Sequence, residues 1–139
     1  MSKLHPQTLA IRASKEQTPF NEHQQALFLT SSFMADSAAD AAAIFAKTKE
    51  GYTYSRTANP TIAAFQKRIA ALENAEAGIA TATGMAAIQA ALLTFLSAGD
   101  HLVSSRSLFG TTAGLLSGHI ARFGIEITFV SQTDVSEWE

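Results

Sequence analysis

Between positions 77 and 99 the chain carries no charged residue, and this stretch constrains the fold more than any other. From residue 79 it reads Ile-Ala-Thr-Ala-Thr, with threonines at alternate places (Thr81 and Thr83), a spacing that predicts a short strand over 79–83. At Gly84 the period changes. Met85, Ile88, Leu92, Phe95 and Leu96 then recur at helical spacing. A buried strand that turns at a glycine into an apolar helix belongs in a parallel sheet covered on both faces. A bilayer-crossing helix is the competing reading of so long an uncharged run. Gln89, Ser97, the many alanines and threonines, and the break at Gly84 argue against it.

The same turn has chemical meaning. The first N–H groups of a helix have no intrahelical partner, and the helix dipole favours negative charge there. A glycine at that point lets a ligand come close to the backbone. Gly84 and Met85 are therefore candidates to hold a phosphate through their backbone N–H groups. Strand–Gly–helix turns are common, so the pattern alone names no ligand.

Residues 1–36 carry Pro6, Pro19 and no sustained period, and read as an arm that builds no core of its own. Within it the run 27–33, with Leu27, Phe28, Leu29 and Phe33, is apolar enough to need cover from another subunit. Asp36 or Ser37 is expected to cap a short Ala-rich helix over 38–47, followed by a loop over 48–59. Asn59-Pro60 is a helix start, with Asn as cap and Pro at the first position. That helix is expected to reach about Asn74, with Ile62, Phe65, Ile69 and Leu72 on its apolar stripe. Lys67, Arg68 and Glu73 would face water.

Gly99 is expected to cap the helix that starts near Gly84. A second strand follows at 101–105, then a loop, a helix opened by Thr111 or Thr112 and running to about Phe123, and a third strand at 125–130. Thr133 or Asp134 would open one more helix. Strand–helix–strand–helix–strand implies an α/β fold with a parallel sheet and right-handed crossovers. A chain of this pattern that stops in mid-helix reads as truncated.

Bulk properties exclude several classes. A formal charge of −2 and a pI near 6.1 over 139 residues give no basic patch for nucleic acid. The absence of cysteine removes disulfides and thiolate chemistry and fits a reducing cytoplasm. The N-terminus lacks the apolar core of a signal peptide. His5, His23, His101 and His119 show no metal-ligand spacing, so no metal is expected, and no Gly-x-Ser-x-Gly elbow occurs.

Ligands of open α/β sheets gather beyond the carboxyl ends of the strands, which here places residues 83–85 and 106–111 on one sheet edge. Phe109 is a candidate to stack on a flat ring, and Arg106 to face a carboxylate or phosphate. Tyr54 and Arg56, taken alone, are loop surface.

Three motifs go further. Tyr-Thr-Tyr-Ser-Arg-Thr-Ala-Asn-Pro-Thr at 52–61, Ala-Leu-Glu at 71–73 and Ala-Thr-Gly-Met-Ala-Ala-Ile at 82–88 occur in the order and spacing of one family. From about 28 to 130 the chain resembles the N-terminal part of the Cys/Met-metabolism enzymes dependent on pyridoxal 5′-phosphate, the cystathionine γ-synthase-like group. Arg-Ser-Leu-Phe-Gly-Thr-Thr at 106–112 is most similar to its O-succinylhomoserine sulfhydrylase branch, where phenylalanine replaces a tyrosine that many relatives place over the cofactor ring.

The resemblance implies fold type I, the aspartate aminotransferase-like α/β fold. Residues 1–59 would form an N-terminal arm and inter-subunit segment, and residues 60–139 the first part of the pyridoxal-phosphate-binding domain. It also implies that Gly84 and Met85 hold the cofactor phosphate, that Tyr54 and Arg56 reach that phosphate from a neighbouring subunit, and that Phe109 stacks on the ring. The assembly implied is a homotetramer, a dimer of dimers.

The activity implied is γ-replacement: homocysteine made from an O-acylhomoserine and sulfide, in methionine biosynthesis. Cystathionine γ-synthase or γ-lyase chemistry is the alternative within the family, and a truncated, non-catalytic assembly module the alternative outside it. The family's Schiff-base lysine in its Ser-x-Thr-Lys setting has no counterpart among Lys3, Lys15, Lys47, Lys49 and Lys67. No catalytic residue is therefore assigned, and the chain by itself is expected to be inactive.

Overall fold

Two five-residue strands, β1 (His101–Ser105) and β2 (Glu126–Val130), pair in parallel in the register His101↔Glu126 through Ser105↔Val130. Each is preceded by a glycine in the left-handed region, Gly99 at φ 94° and Gly124 at φ 81°. The Gly99 N–H donates to the Gly124 carbonyl at 2.8 Å, and the Glu126 N–H donates to the Asp100 carbonyl at 2.9 Å. The two turns are thus tied together immediately before the strands begin, which fixes the register. A side chain on Gly124 would be strained by its φ and would press on Ala98 Cβ at 3.2 Å.

The computed structural model describes residues 4–13 and 18–138. The chain divides into two compact units, Met1–Ala80 and Thr81–Glu139.

The second unit holds the sheet. It begins with α4 (Gly84–Phe95), capped by Thr83. The connection from β1 to β2 starts as α5 (Gly110–Gly114), widens to a π-helix over Leu115–Ile120 and tightens to a 3₁₀ turn over Ala121–Phe123. Leu116, Ile120 and Ile125 form its buried centre, with Leu92 of α4, Leu96 just past its end, and Leu102, Ile127 and Phe129 of the strands packed around them. Ile120 is fully buried. Burying such a side chain contributes about 2 kcal/mol. A parallel pair cannot be joined by a hairpin, so this crossover is what the register requires.

The first unit is built on α3 (Pro60–Glu73), preceded by α1 (Pro6–Arg12) and α2 (Ala38–Phe45). Asn59 caps α3 and is buried, with 6% of its surface exposed. Its Oδ1 accepts from the Thr61 N–H at 2.8 Å, and its Nδ2 donates to the Phe28 carbonyl at 3.0 Å and to Ser55 Oγ at 2.9 Å. Thr61 Oγ1 accepts from the Phe28 N–H at 2.9 Å. Nearby, Ser32 and Tyr54 form an antiparallel bridge, flanked by Phe33 N–H to the Thr53 carbonyl and Ser55 N–H to the Ser31 carbonyl. The arm and the 52–58 loop are therefore one hydrogen-bonded piece. Ser37 caps α2 through the Asp40 N–H at 3.0 Å. Asp40, half-buried, also pairs with the exposed Lys49, which with Ser37 holds its carboxyl below the usual carboxylate range.

Several expectations need correction. Residues 79–83 form no strand, because no ladder partner flanks them among the described residues. Gly99 does not cap α4; the helix ends at Phe95, with Leu96 already extended, and Gly99 serves the turn before β1. The helix expected to reach Phe123 is α-helical only to Gly114. After β2 there is a 3₁₀ turn, Val135–Glu137, capped by Asp134 and not by Thr133.

On α3 the buried residues are Ala64 and Ala70, whereas Ile62, Phe65, Ile69 and Leu72 are exposed. The small residues make the close contacts, and the stripe chosen by size faces outward. Arg68 does not simply face water: its Nε donates to the Ala13 carbonyl at 3.1 Å, just past α1. That helix, absent from the periodicity, starts at Pro6 with His5 as its cap.

Replacing Asn59 by Ala is expected to destabilise the first unit by about 1–3 kcal/mol, since it leaves the partners of a buried polar group unpaired. The check is native-state hydrogen exchange. The Thr61 amide, bonded directly to Asn59, should lose protection, whereas amides of β1 and β2 should not.

Candidate functional site

Thr83 sets the geometry of the turn at Gly84. Its extended backbone (φ −149°, ψ 158°) leads into α4, its Oγ1 accepts from the Ala86 N–H at 3.0 Å, and its carbonyl accepts from the Ala87 N–H at 3.1 Å. Thr81 Oγ1 donates to that same carbonyl at 2.8 Å. Two of the helix's leading donors are thereby satisfied from within. The other two, the N–H groups of Gly84 and Met85, take no partner among the described residues. No acidic side chain stands in the first turn to offset the dipole.

Gly84 is not in the left-handed region, and a Cβ built on it would meet nothing within 4 Å. Neither backbone conformation nor packing within the chain requires glycine here. What glycine provides is an open approach to two unpaired N–H donors, which suits the terminal phosphate of a pyridoxal 5′-phosphate.

Phe109 is the cap residue of α5 and is 77% exposed, while Leu108 beside it packs on the core of the unit. One residue anchors the loop and the next presents a free ring. The Phe109 carbonyl accepts from the N–H groups of Thr112, at 2.8 Å, and Ala113, at 3.1 Å, which orients the loop on its helix. Thr112 has a second role that its sequence position, read only as a helix opener, did not signal. Its hydroxyl lies 3.9 Å from Met85 Sδ. Only the fold reveals that contact.

Arg106 does face a carboxylate, one that the chain itself supplies. Its guanidinium pairs with Glu137 Oε2 at 2.9 Å, and the same oxygen accepts from the Ser131 N–H at 2.8 Å. Trp138 Nε1 donates to the Ser131 carbonyl at 2.8 Å, so residues 131–138 close over the end of β2 and engage the arginine. The cap of that turn is Asp134, whose carboxyl lies below the usual range because the Ser136 hydroxyl and N–H both donate to it.

In the first unit Tyr54 and Arg56 stand together on the exposed loop, the Arg56 guanidinium 5.4 Å from the centre of the Tyr54 ring. Tyr54 is 44% exposed. The backbone of Tyr54 is held by the bridge to Ser32, and its carbonyl accepts from Thr57 and Ala58. Both side chains thus project from a fixed loop, a phenol and a guanidinium that can each donate to an anion. A cavity of about 620 Å³ in the same unit, lined by Lys47, Lys49, Lys67 and Tyr52 among others, includes neither of them. The five candidates therefore fall into two sets, Tyr54 with Arg56 in the first unit and Gly84, Met85 and Phe109 in the second.

A sequence model of the Cys/Met metabolism PLP-dependent enzymes, PLP being pyridoxal 5′-phosphate, matches residues 7–139. The chain belongs to this family. An O-succinylhomoserine sulfhydrylase of Pseudomonas aeruginosa is 49% identical over 132 residues, covering 95% of this chain and 33% of that protein. An L-methionine gamma-lyase of Fusobacterium nucleatum is 41% identical over 130 residues, covering 94% of this chain and 33% of that protein. The chain thus spans about a third of the length of the curated relatives it matches.

Among solved structures, a protein of Campylobacter jejuni assigned as an O-acetylhomoserine (thiol)-lyase superposes with a TM-score of 0.90 at 29% identity, covering 97% of this chain and 33% of that one. It carries N′-pyridoxyl-lysine-5′-monophosphate. A cystathionine gamma-lyase of Lactobacillus plantarum superposes with a TM-score of 0.81, also at 29% identity, covering 97% of this chain and 33% of that one. The architecture is that of the N-terminal part of a fold-type I enzyme of this family.

Substituting Gly84 with Ala is expected to leave α4 intact or to strengthen it by about 0.5–1 kcal/mol, because nothing in the chain contests the added methyl. Thr83→Ala, in contrast, should cost about 1 kcal/mol through loss of the cap. Thermal melts of the two variants check this contrast. At the other end of the unit, the carboxyl of Asp134 is lowered, so its cap is complete above pH 3.8 and is lost as pH falls through the lowered value. The Ser136 amide resonance should move in that acid range and stay constant above it.

Proposed function

We propose that the chain contributes the phosphate-binding turn and ring wall of an O-acylhomoserine sulfhydrylase that makes homocysteine from an O-acylhomoserine, such as the succinyl ester, and sulfide. The observation that carries the reading is the turn at Gly84, where two unpaired N–H donors face an approach that glycine keeps open. The 49% identity to an O-succinylhomoserine sulfhydrylase supports the choice of reaction. The 41% identity to an L-methionine gamma-lyase supports γ-elimination as the second reading.

In this reading Gly84 and Met85 donate their N–H groups to the cofactor phosphate, and the dipole of α4 stabilises its charge. Phe109 would stack on the pyridine ring and shield one face of it from water. Having no hydroxyl, it moves no proton there, unlike a tyrosine at the same place. Tyr54 and Arg56 donate to the phosphate of a neighbouring copy, which makes the active unit at least a dimer and places residues 1–59 as the inter-subunit arm of a dimer of dimers. When bound, pyridoxal phosphate acts as an electron sink that permits replacement at the γ carbon. None of the five lysines present stands in the family's Ser-x-Thr-Lys setting, so the chain by itself binds without turning over.

The experiment is a titration of the chain with pyridoxal 5′-phosphate and, separately, with pyridoxal. The phosphate ester should bind at least about tenfold more tightly, the loss expected when several charge-assisted hydrogen bonds are removed. Gly84→Val should abolish that preference. Equal binding of the two vitamers would overturn the reading, as would borohydride fixing the cofactor at a single lysine.

A further inference from the structure

We propose that the side chain of Thr112 is a positioning residue that couples the turn at Gly84 and Met85 to the wall at Phe109; this rests on the reading of those three residues as the cofactor site. Thr112 touches both pieces. Its backbone N–H donates to the Phe109 carbonyl at 2.8 Å, and its hydroxyl lies 3.9 Å from Met85 Sδ, within reach of a thioether acceptor. Thr112 and Met85 are both half-buried, so water competes weakly for the contact.

The two residue types suit the task. A methionine side chain has three rotatable bonds and by itself holds no fixed position. A threonine is stiff about its first torsion, so its hydroxyl is delivered from a defined direction. The neighbouring Thr111 is exposed and its side chain makes no such contact. The first turns of α4 and α5 are thus joined by side chains through Thr112 and Met85.

The ligand chemistry gives the coupling its purpose. In pyridoxal phosphate the phosphate and the ring are separated by one short ester link. A turn that holds the phosphate and a wall that covers the ring must therefore keep a nearly fixed separation. If the two loops drift independently, one end of the ligand is held at the expense of the other. Thr112 limits that drift without touching the ligand.

The test uses the whole chain carrying Thr112→Val, which keeps the shape and removes the hydroxyl, Thr112→Ser, which keeps the hydroxyl, and Thr111→Val as the control. Without ligand, Thr112→Val should shift the Met85 methyl resonance and the amide resonances of Gly84, Met85 and Phe109, whereas Thr112→Ser and Thr111→Val leave them near wild type. In the titration Thr112→Val should weaken pyridoxal 5′-phosphate by about three- to tenfold, the scale of one lost hydrogen bond, and Thr112→Ser should restore it. Unmoved resonances in Thr112→Val overturn the coupling whatever the cofactor does. So does a serine variant that behaves like the valine one. If the resonances move as expected while wild type shows no preference for the phosphate ester, the coupling stands and the cofactor reading fails.

Discussion

The pair of left-handed glycines governs the second unit. Gly99 and Gly124 lie side by side, joined by the hydrogen bond from Gly99 N–H to the Gly124 carbonyl, and from that point β1 and β2 run in step. With the register set, the crossover has to lie over one face, and Ile120 becomes its fully buried centre. Leu92 of α4 and Leu96 just past its end then find cover against the same cluster. Placing α4 also places its N-terminus, and with it the two unpaired donors at Gly84 and Met85. The chemistry at one end of the unit depends on a backbone constraint at the other.

Asn59 plays the corresponding part in the first unit. A buried side-chain amide is costly unless its groups are matched, and here one acceptor and two donor contacts are all used. They fasten the start of α3 to residue 28 of the arm and to Ser55 of the loop. That loop carries Tyr54 and Arg56, so the residues read as reaching a neighbouring copy project from a fixed base. Around it the apolar stripe Ile62, Phe65, Ile69 and Leu72 remains exposed, together with Leu27 and Leu29.

Much of this architecture could be read from residue pattern. The caps at Ser37 and Asn59, the helices after them, the helix beginning near Gly84 and both paired strands follow from local chemistry, since a cap and a period are properties of a few adjacent residues. Several of the failures are non-local. Residues 79–83 alternate like a strand, yet a strand exists only with a ladder partner. Ile62 and its neighbours form a proper stripe, yet the close contacts on α3 fall to Ala64 and Ala70. Arg106 meets a carboxylate as its charge suggests, yet that this is the carboxylate of Glu137 shows only once β2 turns back. Thr112 was invisible for the same reason, because its contact with Met85 joins two helices.

The π-helical stretch over Leu115–Ile120 has a consequence for how the crossover can change over evolution. A π turn holds one residue more than an α turn over the same number of hydrogen bonds, so the segment acts as a phase shifter between Gly110–Thr112 at its start and Ile120 at its end. The two ends answer to different demands, ring and methionine at one, core packing at the other. The surplus residue offsets the angular phase of one end against the other. A single deletion between Gly114 and Ile120 that restored the α-helical phase would therefore turn the Phe109 loop relative to Ile120.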